Sequence, residues 1–249
     1  MTIICKNCGH HFKGNFCNHC GQTAETHKLD LHFIWHDIQH GLFHFDKGIL
    51  YSFKQLFTRP GHSIREFLEG KRVKHFKPIS LVIIVASIYG LLYHYFHINV
   101  IASQSGEEGL GAFLNTHEFN EWVATHFAWV TLANIPFFTI GTAVAFRKQG
   151  YNLVEYFILN TFKTSQKLFA RIITFPVLYY FNDSLHTKTF FWIFYVMDLI
   201  LIFWTNTQFF NKLSTIKVLW LSILSHIIFF TCFIIAILLA LFGYKLLKY

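Results

Sequence analysis

The sequence predicts an all-α membrane protein with about five transmembrane helices, which follow a small cysteine-rich head and amphipathic juxtamembrane helices. Three observations predict it. The 249 residues are 53% hydrophobic and only 14% charged, against roughly 25% charge in a soluble globular domain. Long apolar runs fill the chain after Pro78, at the length that crosses a hydrocarbon core. Four of the five cysteines crowd into the segment Cys5 to Cys20.

Charge divides the chain at the same place. Residues 1–78 hold 11 Lys+Arg, 6 Asp+Glu and 10 of the 16 His, leaving 10 Lys+Arg and 7 Asp+Glu for the longer part, 79–249. A polar, basic, histidine-rich head (1–24 and 25–78) therefore precedes an apolar body (79–249). Cysteines stand where a signal peptide would need an apolar core, so the head is expected to stay in the cytoplasm.

Cys5-Lys6-Asn7-Cys8-Gly9 and Cys17-Asn18-His19-Cys20-Gly21 are two C-x-x-C-G pairs, with Gly9 to Phe16 between them. Each pair offers two thiolates in one turn, and glycine after the second cysteine can take the positive φ that aims backbone N–H groups at sulfur. This spacing predicts a four-cysteine zinc ribbon over 1–24, with Cys5, Cys8, Cys17 and Cys20 as ligands to one zinc ion. A reducing cytoplasm argues against two disulfides. Four cysteine ligands leave no open coordination position, so the ion is expected to be structural rather than catalytic. His10, His11 and His19 are expected to be bystanders, and Cys232 a small buried apolar residue.

Residues 29–57 read as an amphipathic helix at the membrane surface. Leu31, Ile34, Trp35, Ile38, Leu42, Phe45 and Ile49 fall on one face. His32, His36, His40 and His44 recur every fourth residue on the other, where they could hold a second metal, sense pH, or form an ordinary polar face. Thr58-Arg59-Pro60-Gly61 reads as a helix stop, followed by a short helix closed by Gly70. Lys71, Arg72, Lys74 and Lys77 then stand immediately before the first span. They are expected to hold this end on the cytoplasmic side and to contact anionic lipid headgroups. Nucleic acid is disfavoured as a partner, because cations flanking a span need no other explanation.

Spans are expected near 79–98, 122–146, 168–181, 190–210 and 218–244, the third being the shortest. The loop over 99–121 has four acids and no Lys or Arg, whereas Arg147, Lys148, Lys163 and Lys167 follow the second span and Lys212 and Lys217 the fourth. Positive-inside counting thus agrees with a cytoplasmic N-terminus, with Lys245 and Lys248 as a mild violation. Asp198, His226 and Arg171 fall at membrane depth, together with Asn134. A charged Asp198 in lipid needs a partner, with Arg171 or His226 at hand. The set suggests either an intramembrane hydrogen-bonded site or a proton or ion path. No G-x-S-x-G, P-loop, H-E-x-x-H or dinucleotide fingerprint is present, and these are the patterns in which a nucleophile, phosphate cradle or open metal site is usually read.

The order of these motifs resembles the head of an uncharacterised bacterial membrane-protein family, a domain of unknown function. The resemblance rests on Cys5-Lys6-Asn7-Cys8, Gly14-Asn15-Phe16-Cys17-Asn18-His19-Cys20-Gly21-Gln22, His44-Phe45-Asp46-Lys47-Gly48, Arg59-Pro60-Gly61 and Phe67-Leu68-Glu69-Gly70-Lys71-Arg72-Val73-Lys74-His75-Phe76-Lys77-Pro78. It covers the head as far as Pro78 closely, and the apolar body only in its general pattern. It implies a multi-pass inner-membrane protein with a zinc-ribbon head and supplies no activity. His75 departs from it, since tyrosine is expected there. The reading that follows is a non-enzymatic membrane protein whose ribbon and basic collar serve as an interaction, scaffold or regulatory module. The alternatives are a transporter or channel using Asp198 and His226, or a membrane enzyme using the juxtamembrane histidines. A hydrated central cavity reaching Asp198 would speak for transport, and a closed bundle for the interaction reading.

Overall fold

The structure is a computed structural model that describes residues 2–24, 26, 29–30, 48–96, 98, 117–181 and 187–247. The predicted helix over 29–57 falls largely outside them. Its described part is helix α1 (Gly48–Thr58), with Ser52 and Leu56 buried. The histidines His32, His36, His40 and His44 lie outside the described residues.

The head contains one two-stranded antiparallel sheet. Strand β1 (Ile3–Ile4) pairs with β2 (His11–Phe12) in the register Ile3 to Phe12, and a bridge between Phe16 and Thr23 closes a second hairpin. Strands this short do not hold themselves together. The small core of Cys5, Phe12 and Cys17 shows how little apolar burial supports them.

Helix α2 (Pro60–Glu69) starts on Pro60 and ends on Gly70 at φ 111°. Proline is tolerated at the first helical position but removes an N–H. That missing N–H would have satisfied the Leu56 carbonyl, one turn back. The fold repairs the gap with the fully buried side chain of Gln166, whose Nε2 donates to Leu56 O at 2.7 Å. The helix stop therefore doubles as a docking point for a distant helix.

The body consists of α3 (Pro78–Tyr95), α4 (His117–Thr125), α5 (Phe127–Ala145), α6 (Leu153–Tyr180), α7 (Thr187–Phe209) and α8 (Thr215–Leu247). Helix α3 packs on α5 and α6, α5 on α6 and α8, and α7 on α2, α6 and α8. Among the described residues, three helices are long and apolar enough to cross a membrane, Pro78–Tyr95, Phe127–Ala145 and Thr215–Leu239. This corrects the expected five. The third expected span, 168–181, is only the C-terminal half of α6, which begins at Leu153. Its start is a capping box in which Asn152 Oδ1 accepts from the Glu155 N–H and Glu155 Oε2 from the Asn152 N–H, both at 2.8 Å. The fourth, 190–210, is most of α7, which carries Asp198, Thr205 and Asn206 buried against its neighbours.

Candidate functional site

The two C-x-x-C-G turns have the same backbone wiring. The N–H of Cys5 donates to His10 O and that of Gly9 to Cys5 O, while the N–H of Cys17 donates to Gln22 O and that of Gly21 to Cys17 O, all at 2.8–2.9 Å. Gly9 and Gly21 sit at φ 74° and 75°, in the left-handed region that favours glycine. In this way each turn closes on itself and sets two sulfurs on one side. All four Sγ atoms lie within 4.8 Å of one another and form a set that could hold a metal ion.

Two pairs meet across the turns, Cys5–Cys20 at 3.5 Å and Cys8–Cys17 at 3.7 Å. A disulfide needs about 2.05 Å, so these are free thiols placed across the two turns. Tetrahedral metal–sulfur bonds of about 2.3 Å put sulfurs about 3.8 Å apart, close to the observed pairs. At Cys20 the backbone N–H of Gln22, helped by the neighbouring thiols, brings the thiol down to about 6. At Cys8 the N–H of His10 acts the same way, but desolvation and hydrogen bonds to the other three sulfurs outweigh it and push the thiol up to about 12. His10 and His19 stack on each other, ring centroids 5.6 Å apart, outside the thiol set.

Gln22 joins this cluster to the rest of the molecule. Its backbone completes the second turn, and its side chain, 4% exposed, reaches Gly70. Nε2 donates to Gly70 O at 2.5 Å, and Oε1 accepts from the Arg72 N–H at 3.4 Å. Lys6 adds a bond to Thr26 O at 3.1 Å. The ribbon is thus clasped to the cap that ends α2. Nothing in the sequence marks Gln22 beyond its place after Cys20-Gly21, because the partners of its side chain are backbone groups of the distant Gly70 and Arg72.

The basic stretch is partly structural. Arg72 Nε donates to Phe67 O at 3.2 Å, and its guanidinium lies 5.5 Å from the Phe67 ring centroid. Lys71 stands 3.7 Å from Glu66, which also pairs with Arg59. Lys74 is exposed and Lys77 half-buried.

His75 is packed edge-on against Tyr51, Phe67 and Phe162, with Ser63 Oγ 3.4 Å from Nε2. Burial lowers it from 6.5 to about 4, with the nearby Glu66 raising it and Arg59 lowering it. Above pH 6.5 both folded and unfolded chains hold it neutral. Between about 6.5 and about 4 the unfolded chain binds a proton that the folded one refuses, so stability falls as pH falls. The loss by pH 4 is on the order of 3 kcal/mol at 1.36 kcal/mol per unit. His75→Phe is expected to remove this part of the acid sensitivity. Thermal unfolding across a pH series checks it, and parallel losses in the two proteins would refute it.

Inside the bundle, α6 carries a ladder of buried polar groups. Asn160 donates to Tyr156 O and Thr142 Oγ1 at 2.9 and 3.2 Å. Lys163 donates to Asn206 Oδ1 at 3.2 Å, and Asn206 in turn to Ser222 Oγ at 2.9 Å. Thr205 donates to the Oε1 of Gln166 at 2.8 Å. The loop-charge count takes Lys163 and Lys167 as cations beside a span, but both lie within α6, and Lys163 is buried. These polar groups are the contacts that join α6 to α1, α5 and α7.

Asp198 pairs with Arg171. His226 does not bond Asp198; its Nδ1 donates to Ser222 O at 2.8 Å. The three nonetheless line one cavity of about 370 Å³ bounded by α5, α6, α7 and α8, together with Lys167 and Asn134.

A protein family of unknown function, DUF3667, matches residues 46–90. The match covers α1, α2, the basic stretch and most of α3, in keeping with the expected resemblance to an uncharacterised family, and the ribbon lies outside the matched residues. No curated protein and no solved structure matches the chain. The matched residues form one packed unit, in which Phe76 N–H donates to Ser52 Oγ at 2.8 Å and Arg59 ties Gln55 to Glu66.

Proposed function

We propose that the protein is a non-enzymatic, multi-pass protein of the bacterial inner membrane with its N-terminus in the cytoplasm. Its four cysteines hold one structural zinc ion, and its ribbon and collar act together as an interaction or regulatory module. The observation that carries this reading is the Gln22 clasp. One residue completes a cysteine turn with its backbone and fastens the α2 cap with its side chain, so ordering of the ribbon is linked to ordering of the collar. Four thiolates would satisfy zinc fully and leave no position for a substrate, which suits a structural role. The exposed cations Lys71 and Lys74, with Lys77, would face anionic headgroups at about 1 kcal/mol each, whereas Arg72 serves Phe67.

Gln22→Ala separates the two parts without touching a cysteine. The variant is expected to keep its metal while amide exchange over residues 66–72 rises at least tenfold and a partner crosslinked to the wild-type ribbon in membranes is lost. A wild type with no partner that depends on Cys5, Cys8, Cys17 and Cys20, or a variant with unchanged exchange, would overturn the reading. The cavity beside Asp198 also suits a carrier. For that reading the deciding quantity is the cavity's occupant, since a carrier must bind what it moves.

A further inference from the structure

The cavity has unequal charge. Lys167 and Arg171, one helical turn apart on α6, face it with a single carboxylate, Asp198. Asp198 is only 5% exposed and is engaged by Arg171. Lys167 has no ion-pair partner among the described residues; its ammonium stands 4.7 Å from the centre of the Phe138 ring. Arg171 Nε and Asp198 Oδ1 are both buried with no hydrogen-bond partner. One positive charge, that of Lys167, is therefore left over in a site walled by Val130, Phe138, Leu168, Ile202 and Phe229. Placing an unbalanced cation among apolar side chains is costly unless a counter-ion joins it.

Shape narrows the counter-ion. The cavity volume, about 370 Å³, lies within the roughly 300–1,000 Å³ of small-molecule sites. Tyr195 and Phe230, 36% and 43% exposed, line it as well. The cavity therefore reaches the outer apolar surface of the bundle between α7 and α8, where Ile200, Ile223 and Ile227 are also exposed. An occupant with its charge beside α6 and its apolar part leaving between α7 and α8 satisfies both ends. Two cations one turn apart suit the several oxygens of a phosphate.

We propose that this cavity binds the phosphate headgroup of an anionic phospholipid, with Lys167 and Arg171 as its cationic contacts and the acyl chains passing out beside Tyr195 and Phe230. The assignment holds whether or not the lipid is moved, and its failure would leave the ribbon reading intact.

The test is native mass spectrometry of the full chain in neutral detergent, titrated separately with phosphatidylglycerol, phosphatidylcholine and inorganic phosphate. The wild type is expected to retain one phosphatidylglycerol at least tenfold more tightly than phosphatidylcholine. Lys167→Gln should weaken phosphatidylglycerol about tenfold and leave phosphatidylcholine unchanged, while Lys167→Arg retains binding. Leu199→Phe, which narrows the cavity without altering charge, should weaken it too and guards against a misfolded Lys167 variant. Equal binding of the two lipids would overturn the proposal, as would a folded Lys167→Gln or Leu199→Phe with full binding. So would loss of the tight site in Lys71→Gln/Lys74→Gln, which would move it to the collar. Inorganic phosphate that binds alone, with the same dependence on Lys167, would overturn the lipid assignment in favour of free phosphate.

Discussion

Cys17→Ser is expected to empty the metal site and unfold the ribbon while the helical bundle stays folded. Cys17 is 2% exposed and forms the ribbon's core with Cys5 and Phe12. Its backbone also makes both closing bonds of the second turn. The two very short strands contribute little, so metal binding would supply most of the folding free energy. Structural zinc sites in small fingers give apparent values of about 10–16 kcal/mol at neutral pH. A serine hydroxyl is a poor replacement for thiolate. On the proposed zinc reading, metal analysis should fall from one ion per chain to none, and amide protection should vanish over residues 2–24. Residues 66–72 should lose part of theirs, because Gln22 no longer holds Gly70 and Arg72. The bundle has a separate core containing residues such as Leu81, Ile158 and Phe162 and should keep its protection. A Cys17→Ser protein with full metal content and a protected ribbon would show that the four thiols are not the site.

The second large effect is expected at Gly61. A Cβ built there would lie 2.3 Å from Phe209 N, 2.5 Å from Thr205 O and 2.5 Å from Gln208 Cβ. Two of these are backbone atoms of α7, which cannot rotate aside. The contact is also where α2 serves α7: Gly61 N–H donates to Gln208 Oε1 at 3.1 Å, and Arg65 donates to the carbonyls of Gln208 and Phe209 at 2.6 and 2.9 Å. Those carbonyls belong to the last turn of α7 and have no helical partner. Overpacking usually costs about 1–3 kcal/mol. Gly61→Ala should exceed about 3 kcal/mol, since separating the helices also breaks these bonds. Gly48→Ala is the milder comparison, with its nearest contact at 3.2 Å to Phe76 N. Thermal unfolding of both variants checks the ranking, and a Gly61→Ala protein as stable as the wild type would contradict the close approach.

Legibility in the sequence followed the range of the interactions. The cysteine turns repeat within a short segment, and each C-x-x-C-G contains the glycine that its own φ requires. They could be found without a fold, as could Pro60 at a helix start and Gly70 at its end. The capping box at Asn152 and Glu155 was equally local. Recognising it would have started α6 at Leu153 and removed the short third span. Gln166 was not legible as the donor for Leu56 O, because the two are far apart in the chain and meet only where α6 crosses α1. Hydropathy gives no partner for Asn160, Lys163 or Gln166, because it adds residues along the chain. In the bundle each has a partner on another helix.

Composition and short-range spacing alone determined that the chain is helical, with apolar runs long enough to cross a membrane, a four-thiol head and a basic collar. They also pointed to Asp198 and Arg171 as groups that need partners. Only tertiary structure decided that these two pair with each other, that Lys167 is left beside them in a cavity, and that Gln22 clasps the ribbon to the collar. The physical reason is that hydropathy and turn chemistry are properties of neighbours in sequence. The pairing of a buried charge or amide depends on which helices cross, and glycines such as Gly61 and Gly141, where a Cβ would meet Ser225 O at 2.4 Å, govern how closely they do so.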